Sequence, residues 1–288
     1  VKVLLTGSTC TAGMYLLKQL EQNPAVEELV CVSRKYEKYY GNLPPGQRVK
    51  LVECHLDKYQ WTERLLSEFK PTHVVHIAGN GSQNASMRDT YTANVVTTMN
   101  LLDKVPIGCN FTLLSSVVCS IRPRNLYAMA KCEAERLVHF YCENNRIYGN
   151  VIRTCAIVGL GAKRGLLPDL VRKLYSDGNT LTLMGNYPGS KKPFVYAEEL
   201  AQFIVRALLR QGYRFVTECF GPVNNLTVAE VASVTMKELD LYKGLSWDGT
   251  ENPLDQKLVS MPAGTHLSKN TSEMAIKRAL HDIMKGSI

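Results

Sequence analysis

At 288 residues, 45% hydrophobic and 21% charged, the chain has room for one large α/β domain with a lobe, or two small domains. No apolar run approaches the about 20 residues of a membrane helix, and no signal peptide precedes Val1, so a cytoplasmic chain is expected. The formal charge of +8 suits an anionic partner. With no dense basic run carrying interleaved aromatics, that partner is expected to be a phosphorylated small molecule rather than nucleic acid; a solvated basic surface would have the same composition.

In chain order, "VKVLL", "ELVCV", "VKLVEC", "THVVHIA", "NFTLLSS" and "GNVIRTCAIV" are short apolar runs separated by longer amphipathic stretches. Continuous apolar strands alternating with helices predict a Rossmann-type, doubly wound parallel sheet buried on both faces. The expected organisation is a dinucleotide-binding domain over 1–155 and a smaller lobe, mainly 156–288, with the chain returning to the sheet near 194–220. In that second part "GLGAKRGLLPDL" and "MGNYPGSKKPF" read as loops shaping a pocket. "AEELAQFIVRALL", "LTVAEVASVTMKEL" and "SEMAIKRALHDIMK" read as helices, with Thr227 and Glu230 as a capping box on the second of them.

The nine cysteines lack C-x-x-C spacing, and Cys31, Cys54 and Cys155 sit in apolar runs, which argues against a disulfide framework or zinc site. His73 and His76, three apart on a strand, point to opposite faces, and no metal is expected.

The first strand runs into "TGSTCTAG". In a dinucleotide-binding turn one glycine permits the bend, a second admits the pyrophosphate and a third lets helix pack on strand. Gly7 and Gly13 hold the outer positions, and Cys10 takes the middle one. Gly7, Thr9, Cys10, Thr11, Ala12 and Gly13 are therefore candidate cofactor contacts, although a purely structural turn would read the same way. The second strand ends in Ser33, Arg34 and Lys35 with no acid from Val30 to Tyr36, which favours the 2′-phosphate of NADP over the ribose hydroxyls of NAD. As isolated features, Arg34 and Lys35 equally suit a plain surface. Asp57, after the third strand, is a candidate for the adenine amino group. Ala78 and Gly79, after the fourth, are small enough for close cofactor approach.

"LLSSVVCS" brings Ser115 and Ser116 to the carboxyl edge of the sheet, where ligands bind in such folds. In "LYAMAKCEAERLVHFY", Tyr127 and Lys131 lie four apart and share a helix face. A nearby ammonium would draw the phenol pKa down from about 10 towards neutrality.

Together with Asp57, "HIAG", Asn94 in "TANVVTTMNLL", "VIRTCAIVG" and "KKPFVYAEELA", these segments resemble the extended short-chain dehydrogenases/reductases, the nucleotide-sugar epimerase and dehydratase type. The resemblance runs along nearly the whole chain. It implies a catalytic set of Ser115, Tyr127 and Lys131, with Ser116 as the alternative serine. Tyr127 would move the proton at the reacting carbonyl or hydroxyl, and Lys131 would bind the nicotinamide ribose and lower the tyrosine pKa. Asn94 would support the packing of the active-site helices. Two departures stand out besides Cys10. Only 11 residues separate Ser115 from Tyr127, where the family often carries a longer loop, and Val117 and Val118 replace the acids of the 4,6-dehydratases.

The expectation is an NADPH-dependent reductase of a nucleotide-linked keto-sugar, such as a 4-keto-6-deoxyhexose, with NAD the less favoured cofactor. Ser116, Lys163, Arg164, Lys191 and Lys192 are candidate substrate contacts. A 4-epimerase with bound NAD(P) is the alternative enzyme, and an NADP sensor or scaffold the alternative of another class. Cys119, close to Ser115, offers a thiol or simply a packed small residue. A homodimer through helices near 84–104 and 127–143 is expected, although the stripe Leu137, Val138, Tyr141 could equally face its own core.

Overall fold

In the computed structural model, residues 1–35, 48–82, 85–121, 123, 125–210, 212–250 and 261–285 are described. The chain divides into two compact units, Val1–Thr154 with Ala201–Cys219, and Cys155–Leu200 with Phe220–Ile288.

The first unit opens with β1 (Lys2–Thr6), α1 (Thr11–Gln22), β2 (Glu28–Ser33), β3 (Val49–Glu53), α2 (Tyr59–Phe69) and β4 (His73–His76). It continues with α3 (Met87–Tyr91), a π-helical turn (Thr92–Val96), α4 (Thr97–Lys104), β5 (Cys109–Ser116), a 3-10 turn (Val117–Ser120), α5 (Leu126–Glu143) and β6 (Ile147–Thr154). The strands run β6-β5-β4-β1-β2-β3, with β11 (Phe215–Gly221) beside β6. From β3 to β6 every neighbouring pair is parallel. The strand order reverses between β1 and β4, so a crevice opens at their carboxyl ends.

The apolar runs become strands because both faces are covered: four of the five β1 residues and the middle four of β2 are buried. Phe111, Leu113, Val138 and Val151 join one core cluster. Burying each such side chain stabilises the fold by about 1.5–3 kcal/mol. Small residues set the spacing of α5 against β6: a Cβ at Gly149 would lie 2.3 Å from Cys142 Sγ. The stripe Leu137, Val138 and Tyr141 packs on this core, whereas Met129 and Phe140 are the exposed apolar residues of α5.

The run "GNVIRTCAIV", read as one strand, is two. β6 stops at Thr154, and β7 (Ala156–Val158) pairs in parallel with β10 (Phe194–Tyr196) in the second unit. That unit also contains α6 (Leu166–Leu174), β8 (Thr180–Leu183), β9 (Lys191–Lys192), β12 (Leu226–Thr227), α8 (Val228–Leu239), β13 (Gly244–Trp247), β14 (His266–Leu267) and α9 (Ser272–Lys285). Helix α7 (Ala197–Leu208) spans the boundary between the units. The Thr227–Glu230 capping box is formed, satisfying two backbone donors at the start of α8. Helix α9 is tied down at both ends. Ser272 Oγ accepts from Phe194 N at 3.0 Å, and Tyr196 donates to Asp282 Oδ2 at 2.5 Å. Among the described residues, no helix is long and apolar enough to cross a membrane.

Candidate active site

The turn after β1 is built by glycines that no other residue can replace. Gly7 has φ +75, and a Cβ there would meet Ala78 N at 2.7 Å. A Cβ at Gly13 would meet the Gly7 carbonyl oxygen at 2.2 Å. Between them Cys10 is the N-cap of α1, extended and exposed, with the helix amides of Thr11, Ala12 and Gly13 just beyond it. The amides of Gly13 and Ala12 favour its thiolate, but desolvation by the surrounding protein outweighs them and raises the pKa. Thr9 is half-buried in the same turn, and Ser8 beside it is buried with no hydrogen-bond partner for its hydroxyl.

The second wall of the crevice is the end of β4. His76, 1% exposed, is held between Thr6 Oγ1 at Nδ1 (2.7 Å) and Thr98 Oγ1 at Nε2 (3.1 Å). Thr98 donates to the Asn94 carbonyl at 2.7 Å, so His76 Nε2 carries the proton and Nδ1 accepts from Thr6. Burial, with the Lys131 charge as a smaller contribution, holds the imidazole neutral, its pKa lowered to about 3. Asn94, in the π-helical turn, donates to Asn80 O at 3.0 Å and accepts from Asn80 N at 3.3 Å. It thereby fixes the segment after β4. A Cβ at Gly79 would strike Asn94 Oδ1 at 2.6 Å and come within 3.4 Å of Lys131 Nζ.

The third wall is α5. Asn125 caps it, its side chain accepting from Ala128 N at 2.8 Å, and this places Tyr127 in the first turn. Lys131 is buried and donates to the Leu114 carbonyl of β5 at 3.0 Å. Burial lowers its pKa to about 8, opposed by the neighbouring acidic groups Cys119, Glu135 and Cys10. Tyr127 differs from expectation. Burial and the neighbouring Cys119 raise its pKa to about 12, and the Ser116 side chain opposes the rise. Burial outweighs the lowering expected from Lys131.

The two serines divide. Ser115 is buried and donates to Glu135, a carboxylate that also holds Arg153 in a forked pair, with Nη2 to Oε2 at 2.6 Å and Nε to Oε1 at 3.0 Å. Ser115 also lies 3.6 Å from Cys119 Sγ. Ser116 is half-buried, its hydroxyl accepts from Val118 N at 3.4 Å, and its side chain acts to lower the Tyr127 pKa. Glu135 and Arg153 escaped the sequence reading, yet two signals pointed to them. Glu135 repeats the four-residue spacing of Tyr127 and Lys131, and Arg153 is a charge inside an apolar strand, which requires a partner.

Other predicted contacts lie outside this cluster. Ser33 is half-buried at the end of β2, and Arg34 and Lys35 beyond it are exposed. Asp57 lies 3.8 Å from His55 Nδ1 and 3.7 Å from Lys58 Nζ. Lys163 and Arg164 are exposed in the second unit. Lys191 and Lys192 form β9, paired antiparallel with β12. The helix expected over 84–104 is three elements, α3, the π-helical turn and α4; residue 84 itself lies outside the described residues. Among the described residues no cluster of metal-ligating side chains occurs.

The sequence profile of the NAD dependent epimerase/dehydratase family matches residues 3–215. The chain belongs to this family. It lies within the extended short-chain dehydrogenases/reductases, as a family of NAD-dependent enzymes. Among solved structures, the UDP-glucose 4-epimerase of Thermotoga maritima with UDP-glucose superimposes with a TM-score of 0.83 at 16% identity, covering 99% of each chain. The UDP-glucose 4-epimerase of Thermus thermophilus with NAD gives 0.81 at 19%, covering 100% of each. The dTDP-glucose 4,6-dehydratase of Bacillus anthracis with NAD gives 0.81 at 14%, covering 99% of this chain and 97% of that one. No curated protein matches the sequence. For a family member the crevice fits a nicotinamide dinucleotide: Gly7, Gly13 and Gly79 each stand where a Cβ would collide with the surrounding wall. Cys10 replaces the glycine between the first two.

Proposed function

We propose that this family member is an NADPH-dependent reductase of a nucleotide-linked keto-sugar. The observation that carries the cofactor choice is the end of β2, where Arg34 and Lys35 are exposed cations in the place an NAD-selective site gives to a carboxylate. The turn from Gly7 through Thr9, Cys10, Thr11 and Ala12 to Gly13, with Ser33, Asp57, Ala78 and Gly79, would hold the dinucleotide. When bound, its reduced nicotinamide supplies the hydride.

The protein's part is proton transfer and polarisation. Tyr127, its pKa raised to about 12, is fully protonated at neutral pH and suited to giving its proton to a carbonyl oxygen that gains a hydride at carbon. Ser116, whose side chain acts to lower the Tyr127 pKa, would donate to the same oxygen and then steady the phenolate. Lys131, buried one turn along, supplies the positive charge that stabilises that phenolate. Ser115 is assigned a structural role, because its hydroxyl is already donating a hydrogen bond to Glu135. Lys163, Arg164, Lys191 and Lys192 are the candidates for the nucleotide phosphates. A cytoplasmic homodimer is the proposed state, with the exposed Met129 and Phe140 of α5 and Met99 of α4 at the contact.

Titration of the protein with NADPH and NADH tests the cofactor, and NADPH oxidation in the presence of a dTDP-4-keto-6-deoxyhexose tests the reaction. Tighter NADPH binding and sugar-dependent oxidation support the reading. Copurifying, non-exchanging NAD with interconversion of UDP-glucose and UDP-galactose would replace it with the 4-epimerase. Binding of neither dinucleotide would leave a scaffold role.

A further inference from the structure

Residues 78–81, which follow β4, touch both halves of the crevice. A Cβ on Gly7 would lie 2.7 Å from Ala78 N, so the segment packs directly on the turn after β1. A Cβ on Gly81 would lie 3.5 Å from Tyr127 Cε2, so its other end rests against the phenol ring. No helix or strand includes these residues. Their hold is a ring of hydrogen bonds closed through side chains. Ala78 N donates to Thr6 Oγ1 at 3.3 Å, and Thr6 Oγ1 donates to His76 Nδ1 at 2.7 Å. His76 Nε2 donates to Thr98 Oγ1 at 3.1 Å, and Thr98 donates to the Asn94 carbonyl at 2.7 Å. The Asn94 side chain closes the ring on Asn80, accepting from its N at 3.3 Å and donating to its O at 3.0 Å. Thr6 and Thr98 are fully buried, and His76 and Asn94 nearly so.

We propose that His76 is a positioning residue of this site, setting through Thr6 and Thr98 where residues 78–81 stand between the dinucleotide and the Tyr127 ring. The proposal rests on the dinucleotide site assigned above and adds the residue that shapes one of its walls. The direction of each bond is what makes His76 the link. Thr6 gives its proton to the imidazole, which turns its lone pairs towards Ala78 N. Thr98 gives its proton to the Asn94 carbonyl, so it must receive one from the ring. A neutral imidazole protonated on Nε2 is an acceptor on one side and a donor on the other, as this chain requires. Burial keeps His76 in that neutral form. Without the imidazole the Thr6 hydroxyl is free to rotate away from Ala78, and Thr98 loses the donor that ties it to β4.

The test reads the segment directly in the cofactor-free, full-length protein. Native-state amide hydrogen exchange, followed by NMR, reports local opening at Ala78 and Asn80, with Val75 in β4 as the internal reference. In His76→Leu, exchange at Ala78 and Asn80 is expected to quicken about tenfold relative to Val75, the scale of one lost hydrogen bond. His76→Gln offers one acceptor and one donor, and it is expected to recover most of that protection. NADPH affinity follows the same order, falling severalfold in His76→Leu and returning towards wild type in His76→Gln. Should His76→Leu not fold, Thr6→Val and Thr98→Val cut the two arms singly; the first is expected to quicken Ala78 and the second Asn80. Exchange at Ala78 and Asn80 that keeps its wild-type ratio to Val75 overturns the proposal, as does a loss that His76→Gln shares in full. If the wild-type protein binds neither dinucleotide, the functional reading fails, while the exchange ratios still decide whether His76 holds the segment.

Discussion

Gly13 lies directly against the Gly7 carbonyl: a Cβ on Gly13 would stand 2.2 Å from that oxygen and 2.7 Å from Ser8 Cα. Both obstacles are backbone, so neither can swing aside. Gly13→Ala is expected to destabilise the chain by about 1–3 kcal/mol through overpacking and to abolish dinucleotide binding. Thermal unfolding and an NADPH titration check the two effects together. A variant with wild-type melting and affinity would mean that the turn is looser than its geometry states.

Cys10 occupies the N-cap of α1, where helix amides attract anions. Its side chain takes space that a glycine would leave to a pyrophosphate. Cys10→Gly should therefore tighten NADPH binding severalfold, read as a lower Kd. Unchanged affinity would show that the thiol lies clear of the cofactor.

His76 makes the fold acid-sensitive. Its pKa is about 3 in the native protein and 6.5 as an ordinary imidazole, so between those values the unfolded chain binds more protons. Stability is then intact above pH 6.5 and falls as pH drops towards 3, by at most roughly 5 kcal/mol. His76→Gln keeps a polar group between Thr6 and Thr98 but cannot titrate. Urea unfolding from pH 7 to 4 should show a shallower loss in the variant than in wild type.

Tyr127→Phe retains the fold and the crevice but removes the proton donor. Hydride transfer should drop by about 10²–10⁴-fold while NADPH still binds. In wild type the rate of reduction is expected to fall as pH rises through about 8, because Lys131 is charged below that value and neutral above it. Tyr127, protonated until about 12, contributes no limb in the accessible range. A rate profile flat from pH 7 to 9 would rule out the assigned role of Lys131.

The paired serines offer a direct contrast. Ser116→Ala removes the hydroxyl assigned to the reacting oxygen and should lower kcat by about 10²-fold, the scale of losing one oxyanion donor. Ser115→Ala instead takes a donor from buried Glu135, costing about 1–3 kcal/mol of stability and less activity than Ser116→Ala. Kinetics and melting of the two variants side by side separate these roles; the reverse order would return Ser115 to the reacting oxygen.

Much of this was legible before any coordinates. A parallel sheet covered on both faces must be written in apolar runs, so β1 to β6 could be read as far as Thr154, and Gly7 and Gly13 marked a turn that only residues without a Cβ can form. The four-residue spacing of Tyr127 and Lys131 placed both on one helix face. Local sequence carries this information because it sets backbone geometry and the period of burial.

Tertiary structure decided the rest. Nothing in an unbroken apolar run shows that the strand ends at Thr154 and that β7 pairs elsewhere, since the pairing partner lies almost 40 residues away. Two adjacent serines look alike on paper; which one is consumed depends on Glu135 arriving from α5 and Arg153 from β6. The direction of the Tyr127 shift was also beyond spacing. A pKa is set by how much water is excluded and where the nearest charge points, and both are properties of the packed crevice rather than of the residues that line it.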